Sequence, residues 1–220
     1  MARLDFVDVS SASTGASAHS GIAFSNLDYL NTFRARSFAC APELLSDRDN
    51  GEDGIPIIIP QSAGRRGAFP ELIHYEGHWQ EWDCVVTRIP DEQANGRVLN
   101  DMAIHHRRDS QARGAENALS QAGIAYASGN SSKGRGELYG SEDSVKIVSM
   151  HSSKGLEFGL VLIPGLGEMP KKGEAEADEA RLLYVAMTRA IDRLVMTYQV
   201  HSDFTRRVQE AIGGVREGLG

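Results

Sequence analysis

Short apolar runs alternate with stretches of helical periodicity along most of the chain. The apolar runs predict strands at residues 55–60, 71–75, 102–104, 124–128, 145–150, 159–165 and 193–200. The helical patterns predict helices at about residues 79–89, 110–122, 178–191 and 203–212. Strands that alternate with helices favour a parallel sheet covered on both faces, so the expected fold class is α/β.

The second of these helices has recognisable ends. Ser110 is the expected N-cap, and Ala115, Leu119 and Ala122 share one face of the predicted helix. Gly123 then supplies the stop signal. The pattern therefore predicts an amphipathic helix that begins at Ser110.

Two polar segments interrupt the pattern. Residues 8–26 are rich in Ser, Ala and Gly, so residues 1–27 are expected to form a flexible tail or linker. Residues 129–144 form a second Gly- and Ser-rich joint. We therefore expect the ordered domain at residues 28–220, with that joint inside it.

Composition narrows the classes of function. The net charge is −7, which argues against a broad basic surface for nucleic acid and leaves room only for local contacts. No apolar run approaches the roughly 20 residues that cross a bilayer, and no secretion signal is recognised, so a cytoplasmic protein without a membrane partner is expected. Cys40 and Cys84 are expected to be free thiols.

Histidines and tryptophans raise two further possibilities. Four histidines lie on separate predicted elements without carboxylates at ligand spacing, so no metal site is expected: His74, His78, His105 and His106. Trp79 and Trp82 could stack on bases. Their i, i+3 spacing instead favours packing of their helix onto the sheet.

The segment "VSMHSSKGLEF", residues 148–158, turns a buried strand into a polar cluster. In open parallel sheets, ligands gather beyond the carboxyl ends of the strands, which makes this turn a candidate site. Gly155 permits close approach of backbone amides to a phosphate, and Lys154 adds a positive charge. Glu157 can accept hydrogen bonds from sugar hydroxyls. A solvent-exposed polar turn is the alternative.

The segment "EARLLYVAMTRA", residues 179–190, places Arg189 at i+7 from Leu182, on the apolar face of the predicted helix. A guanidinium in that position needs an anion, a carbonyl or water. Arg189 could instead cap the carboxyl end of the helix, or lay its stem along the core with its head in solvent.

Together, "VKIVSMHSSKGLEFGLVLIPG" and "DEARLLYVAMTRAIDRLVMTY" resemble the fifth and sixth motifs of the UvrD/Rep-type superfamily 1 DNA helicases. Residues 102–127 resemble the elements that precede the fifth motif, and residues 30–35 resemble a worn fourth motif. The resemblance covers roughly residues 28–201. It implies the second of two RecA-like lobes, a three-layer sheet of the P-loop NTPase type.

The resemblance also implies roles for individual residues. Arg189 is similar to the arginine that reaches the γ-phosphate of ATP, and Arg34 to a second such arginine, although Ala35 stands where a serine is usual. Glu157 resembles the ribose contact, Gly155 shapes its turn, and Lys154 links the two ligands.

The resemblance also implies DNA contacts, because His151 and Ser152 are similar to residues that face single-stranded DNA in the family. A further set resembles residues that position the helix of the sixth motif: Arg181, Tyr184 and Thr188. The implied ligands are ATP with Mg²⁺, bound between two lobes.

The departures from the family are large. Neither a G-x-x-x-x-G-K-[ST] loop nor a strand that ends in adjacent Asp and Glu occurs in these 220 residues, so we expect the first lobe in a longer chain or in trans. Alone, the chain is expected to hydrolyse ATP negligibly. The alternative is a non-catalytic interaction or regulatory module. A small-molecule enzyme is disfavoured, because no G-x-G-x-x-G follows the first strand.

Overall fold

A computed structural model describes residues 68–129 and 142–218. The strand predicted at residues 55–60, the tail at residues 1–27, Arg34 and Cys40 lie outside these residues. The strands are β1 (Glu71–His74), β2 (Met102–His106), β3 (Tyr126–Ser128), β4 (Val145–Ser149), β5 (Phe158–Ile163) and β6 (Ala190–Tyr198). The helices are α1 (His78–Ala94), α2 (Asp109–Gln121), α3 (Glu176–Met187) and α4 (Asp203–Gly218), with short 3-10 turns at Leu99–Asp101 and Leu166–Glu168.

The six strands form one parallel sheet in the order β1-β6-β5-β2-β4-β3. At its centre, Ile104 of β2 is aligned with Ile147 of β4 and with Leu162 of β5. Because all strands are parallel, every loop that follows a strand leaves from one edge, here called the carboxyl edge, and every strand begins at the opposite amino edge. The predicted α/β class is confirmed.

Helices cover both faces of the sheet, which makes three layers. Trp82 and Ile89 of α1 and Leu119 of α2 pack on one face with Ile104 and Ile147. The other face carries α3 and α4 through a second apolar cluster that includes Leu183, Met187, Phe204 and Val208. Burial of a side chain of this size stabilises the fold by roughly 1.5–3 kcal/mol. Among the described residues no helix is long and apolar enough to cross a membrane.

The start of α2 differs from the prediction, because Ser110 is not its N-cap. The helix begins at Asp109, and the side-chain oxygen of Gln111 accepts hydrogen bonds from the backbone N–H groups of Arg107 (2.8 Å) and Arg108 (3.0 Å). A glutamine at the third helical position thus satisfies backbone donors that directly precede the helix, as the third residue of a capping box does. The predicted apolar face is also one residue too long, since Ala122 is exposed.

The end of α3 is the second correction. The predicted helix extended to residue 191, but α3 ends at Met187, and Ala190 already belongs to β6. The N–H of Phe158 donates to the carbonyl of Arg189 (2.9 Å), so pairing with β5 competes with helix continuation there. The buried stripe of α3 runs through Ala180, Leu183, Tyr184, Ala186 and Met187, and Arg189 lies beyond the helix.

Trp79 and Trp82, which were both predicted to pack on the sheet, have different environments in the structure. Trp82 is buried at 8% exposure, and its indole lies against Gly114 of α2, where a Cβ atom would overlap the ring. Trp79 instead is 70% exposed, so the predicted packing is confirmed for Trp82 and wrong for Trp79. Trp79 lies in the first turn of α1 and on its solvent side, so its three-residue spacing from Trp82 does not bring it to the core.

Candidate functional site at the edge between β5 and β6

The turn after β4 is built by its own polar groups. The N–H of Met150 continues the ladder by donating to the carbonyl of His106 (2.9 Å). The N–H of Ser152 donates to the carbonyl of Ser149 (2.9 Å), and the hydroxyl of the buried Ser153 donates to the carbonyl of Met150 (2.8 Å). With the backbone held in this way, the side chains of His151, Ser152 and Lys154 are exposed to solvent.

Gly155 reverses the chain direction before β5. Its φ of +84° lies in the left-handed region, which a glycine adopts without strain. The chain then reaches Glu157, which is exposed and directly precedes the first residue of β5. The segment from residue 150 to residue 157 therefore starts at the carboxyl edge of the sheet and ends at the amino edge.

Arg189 lies at the same amino edge, directly before the first residue of β6. Its Nε donates to the carbonyl of Val185 (3.1 Å), and its Nη2 donates to the hydroxyl of Thr188 (3.1 Å). Its Nη1 reaches the carbonyl of Leu156 at 3.5 Å. The half-buried guanidinium thus closes the carboxyl end of α3, as one of the alternatives foresaw, and also touches the residue before Glu157.

The location of the site requires a correction. The sequence placed the whole cluster beyond the carboxyl ends of the strands. In the structure only His151 and Ser152 follow a carboxyl end, whereas Glu157 and Arg189 stand at the amino ends of β5 and β6. The physical reason is the short connection from β4 to β5, which must return to the amino edge because the two strands are parallel.

A buried ion pair that the sequence analysis missed lies at the carboxyl edge. The guanidinium of Arg107, which follows β2, donates from Nε and Nη2 to the carboxylate of Glu179 on α3 at 2.6–2.9 Å. The side chains are 7% and 3% exposed, and the N–H of Lys171 also donates to Glu179 (3.1 Å). The two residues are far apart in sequence, and nothing in the local pattern couples them.

The pKa of Glu179 reflects this pairing. Burial by itself raises the pKa of the carboxyl, but the hydrogen bonds from Arg107 and Lys171 and the charges of Arg107 and His151 outweigh it, so the pKa lies below its usual value. His151, on the exposed turn after β4, makes a minor contribution to this lowering.

Two histidines are buried in the centre of the sheet. His105 of β2 is fully buried, packs edge-on against the ring of Phe158 at 5.9 Å, and has no well-formed hydrogen bond at either ring nitrogen. Burial lowers the pKa of His105 to about 3, with the charge of Arg189 contributing. Burial likewise lowers the pKa of His106. Both rings are therefore neutral core groups at neutral pH.

The depressed pKa of His105 predicts a loss of stability in acid. Below about pH 6.5 the unfolded chain binds a proton at this histidine that the folded chain refuses, so stability falls from there towards pH 3. We expect the wild type to lose about 2 kcal/mol more free energy of unfolding than His105→Leu between pH 7.5 and pH 5. Urea unfolding at both pH values measures this difference. His201→Leu, at an exposed position, is the control, and equal losses in wild type and His105→Leu would contradict the assignment.

Other predicted residues have plain surroundings. His74 and His78 are exposed at the carboxyl edge, and Cys84 is a free thiol. In residues 68–129 and 142–218 no group of three His, Cys, Asp or Glu side chains is close enough to hold a metal ion. Arg181 pairs with Asp178 on the outside of α3 (3.0 Å).

Comparison with known proteins agrees with this architecture. A family model described as the UvrD-like helicase C-terminal domain matches residues 130–201. DNA helicase II of Escherichia coli is 35% identical over 86 residues, which cover 36% of this chain and 12% of that protein. An ATP-dependent helicase/nuclease protein of Lysinibacillus sphaericus is 27% identical over 180 residues, 62% of this chain and 14% of that protein. The matched region thus spans about an eighth of these relatives.

Among solved structures, the C-terminal domain of a possible DNA helicase from Lactobacillus plantarum superimposes with a TM-score of 0.60 at 20% identity. The match covers 84% of this chain and 96% of that domain, which supports the fold. The family model, the relatives and the architecture together support a UvrD-like helicase C-terminal lobe with a RecA-like fold.

Proposed function

We propose that this lobe forms one wall of an ATP site and contacts single-stranded DNA, as part of a motor whose phosphate-loop lobe lies in a longer chain or in a partner. The observation that carries the proposal is the convergence of Arg189 and Glu157 at the amino edge, where the N–H of Phe158 joins the carbonyl of Arg189. A guanidinium and a carboxylate at the same edge of the sheet would offer complementary contacts to a triphosphate and a ribose.

Arg189 would act on the γ-phosphate. ATP with Mg²⁺ supplies the reacting phosphoryl group, and the protein's task is to stabilise charge as that group is transferred. The contact of the guanidinium with Leu156, at 3.5 Å, is longer than those with Val185 and Thr188, and it is therefore easier to exchange for an anion than they are. The bond to Val185 holds the arginine in position meanwhile.

The nucleotide and the DNA would meet one continuous segment. Lys154 and Gly155 stand between the exposed His151 and Ser152 at one end and Glu157 at the other. A ligand that orders one end of so short a segment biases the conformation of the other, and this is the requirement for coupling hydrolysis to movement along DNA. Arg34 would add a second arginine to the phosphate side.

A non-catalytic interaction module is the second candidate, and the missing G-x-x-x-x-G-K-[ST] sequence favours it. Reconstitution separates the two functions. We expect negligible ATP hydrolysis by the 220-residue chain, and hydrolysis stimulated by oligo-dT once a phosphate-loop lobe encoded in the same gene or a neighbouring gene is added. No stimulation by such a lobe, together with no binding of oligo-dT by the chain, would reject the motor function.

The DNA contact is tested on the chain itself. Fluorescence anisotropy with labelled oligo-dT is expected to show that Lys154→Ala binds more weakly than the wild type, because a phosphate contact is lost. The loss of that contact should also reduce the salt dependence of binding. Lys172→Ala is the matched control, because Lys172 is equally exposed but lies on the loop before α3. Equal effects of the two substitutions would show that the turn has no special role.

A further inference from the structure

The solvent side of α1 carries an open groove of about 730 Å³ whose lining includes neither Arg189 nor Glu157. Trp79, Asp83, Thr87 and Asp91 recur every four residues along it, and a second row of Gln80, Cys84 and Arg88 lies beside them. His74, Tyr75 and Glu76 close the groove at the end of β1. At 1.5 Å per residue, the stripe from Trp79 to Asp91 is about 18 Å long.

The groove is acidic and its acids are unpaired. Glu76, Asp83 and Asp91 are exposed, and none of the three forms an ion pair within the described part of the chain. Among the described residues of the lining, Arg88 is the one Lys or Arg, and it is engaged by Glu71 at 2.7 Å. The surface therefore presents uncompensated negative charge, which repels a nucleic acid backbone and attracts cations.

Trp79 supplies the second, independent feature. It is 70% exposed, and its indole leans over Gly77 at the start of α1, where a Cβ atom would lie 3.1 Å from Nε1. Exposed tryptophans are uncommon on a monomer surface and frequent as anchors of protein interfaces. The face of an indole also attracts Lys and Arg side chains, which carboxylates one turn away can then pair.

From these observations we propose that the groove on α1 binds a basic segment of a partner protein. The partner places one Arg or Lys on the indole of Trp79 and a second between Asp83 and Asp91. The two cations stand about 12 Å apart on the partner, roughly two helical turns or four residues of an extended strand. Charge complementarity selects this occupant over DNA.

The groove is separate from the nucleotide-facing edge. Residues of α1 pack on the sheet face that also carries α2, whereas α3, which leads to Arg189, packs on the other face. A partner bound at α1 thus leaves Arg189 and Glu157 accessible to a first motor lobe. The proposal does not rest on ATP or DNA binding, and a failure of either function leaves it standing.

The test measures binding of a hexa-arginine peptide to the full chain by calorimetry and by Trp fluorescence. Asp83→Asn with Asp91→Asn is expected to weaken binding about tenfold, and Trp79→Ala about threefold. Trp79→Phe is expected to keep most of the affinity. The control, Asp203→Asn with Glu210→Gln on α4, removes the same charge from exposed positions and is expected to leave binding unchanged.

Three outcomes overturn the proposal. The first is absence of peptide binding by the wild type, and the second is an equal loss in the α4 control, which would mean unspecific attraction to an acidic protein. The third is loss of oligo-dT binding in Trp79→Ala with peptide binding intact, which would make the groove a nucleic-acid surface. Thermal unfolding of each variant, followed by circular dichroism, confirms that the substitutions leave the fold intact.

Discussion

Replacement of Arg189 by alanine in the completed motor is expected to slow ATP hydrolysis by about three to five orders of magnitude, with little change in folding. The reason is charge development on the transferred phosphoryl group, which a preoriented guanidinium stabilises strongly in a closed cleft. Arg189 is preoriented by its bonds to Val185 and Thr188. Steady-state and single-turnover hydrolysis at saturating oligo-dT measure the effect.

Two companions make this result specific. Arg189→Lys keeps the charge but not the planar fork, and we expect it to restore only part of the rate. Arg206→Ala removes an exposed arginine of α4 that pairs with Glu210, and its rate should equal that of the wild type. Robust hydrolysis that is insensitive to Arg189→Ala would show that the phosphate-side arginine has been assigned wrongly.

Replacement of Glu179 by glutamine is expected to lower the free energy of unfolding by about 3–5 kcal/mol. The change keeps the shape of the side chain but leaves the guanidinium of Arg107 buried without a counter-charge. Urea unfolding at pH 7.5 measures the loss. Because Glu179 lies in the first turn of α3 and Arg189 follows the end of that helix, this destabilisation should also weaken the position of the arginine.

The exposed pair Arg206 and Glu210 provides the matched control for the buried one. These side chains are 57% and 59% exposed, so Glu210→Gln should cost no more than about 0.5 kcal/mol. The double substitution Arg107→Met with Glu179→Leu is expected to recover most of the loss, since it removes both buried charges. Equal losses in the Glu179 and Glu210 variants would contradict the importance of burial.

The pairing of Glu179 with Arg107 also predicts how the stability of the fold changes in acid. The pKa of Glu179 is depressed in the folded state, so its contribution is complete above about pH 4.3, the value in unfolded chains, and is lost as pH falls through the lower folded pKa. This window begins at a lower pH than that of His105 and overlaps it between about pH 4.3 and pH 3. His105 therefore weakens the fold first as the pH falls, and Glu179 adds to the loss below about pH 4.3.

The sequence pattern predicted elements best where apolar residues fill the whole element. The runs around Ile104, Ile147 and Leu162 predicted buried parallel strands, and all three meet at one level of the sheet. The boundary of α3 was not predictable in this way, because helical periodicity continues through Arg189 while strand pairing with Phe158 ends the helix. At this point a hydrogen bond between segments that are distant in sequence outweighs the local preference for helix.

The exposure of Trp79 could not be predicted from the sequence either. In a helical pattern, Trp79 and Trp82 are equivalent large apolar residues, and only the packing of α1 against Gly114 decides which indole is buried. The partnership of Arg107 with Glu179 is a further case. Each residue is unremarkable in its own segment, and the pair exists because the carboxyl end of β2 and the first turn of α3 lie side by side.

By itself, the sequence determined the class of fold, the two helicase motifs and the residue types that a nucleotide and DNA would meet, since these depend on local composition and order. Only the tertiary structure decided that Glu157 and Arg189 share the amino edge, that Glu179 is a buried counter-ion, and that an acidic groove on α1 faces solvent. These facts depend on contacts between segments that are distant in sequence. Such contacts form because parallel strands all begin at the same edge, so the chain must return to that edge after each strand.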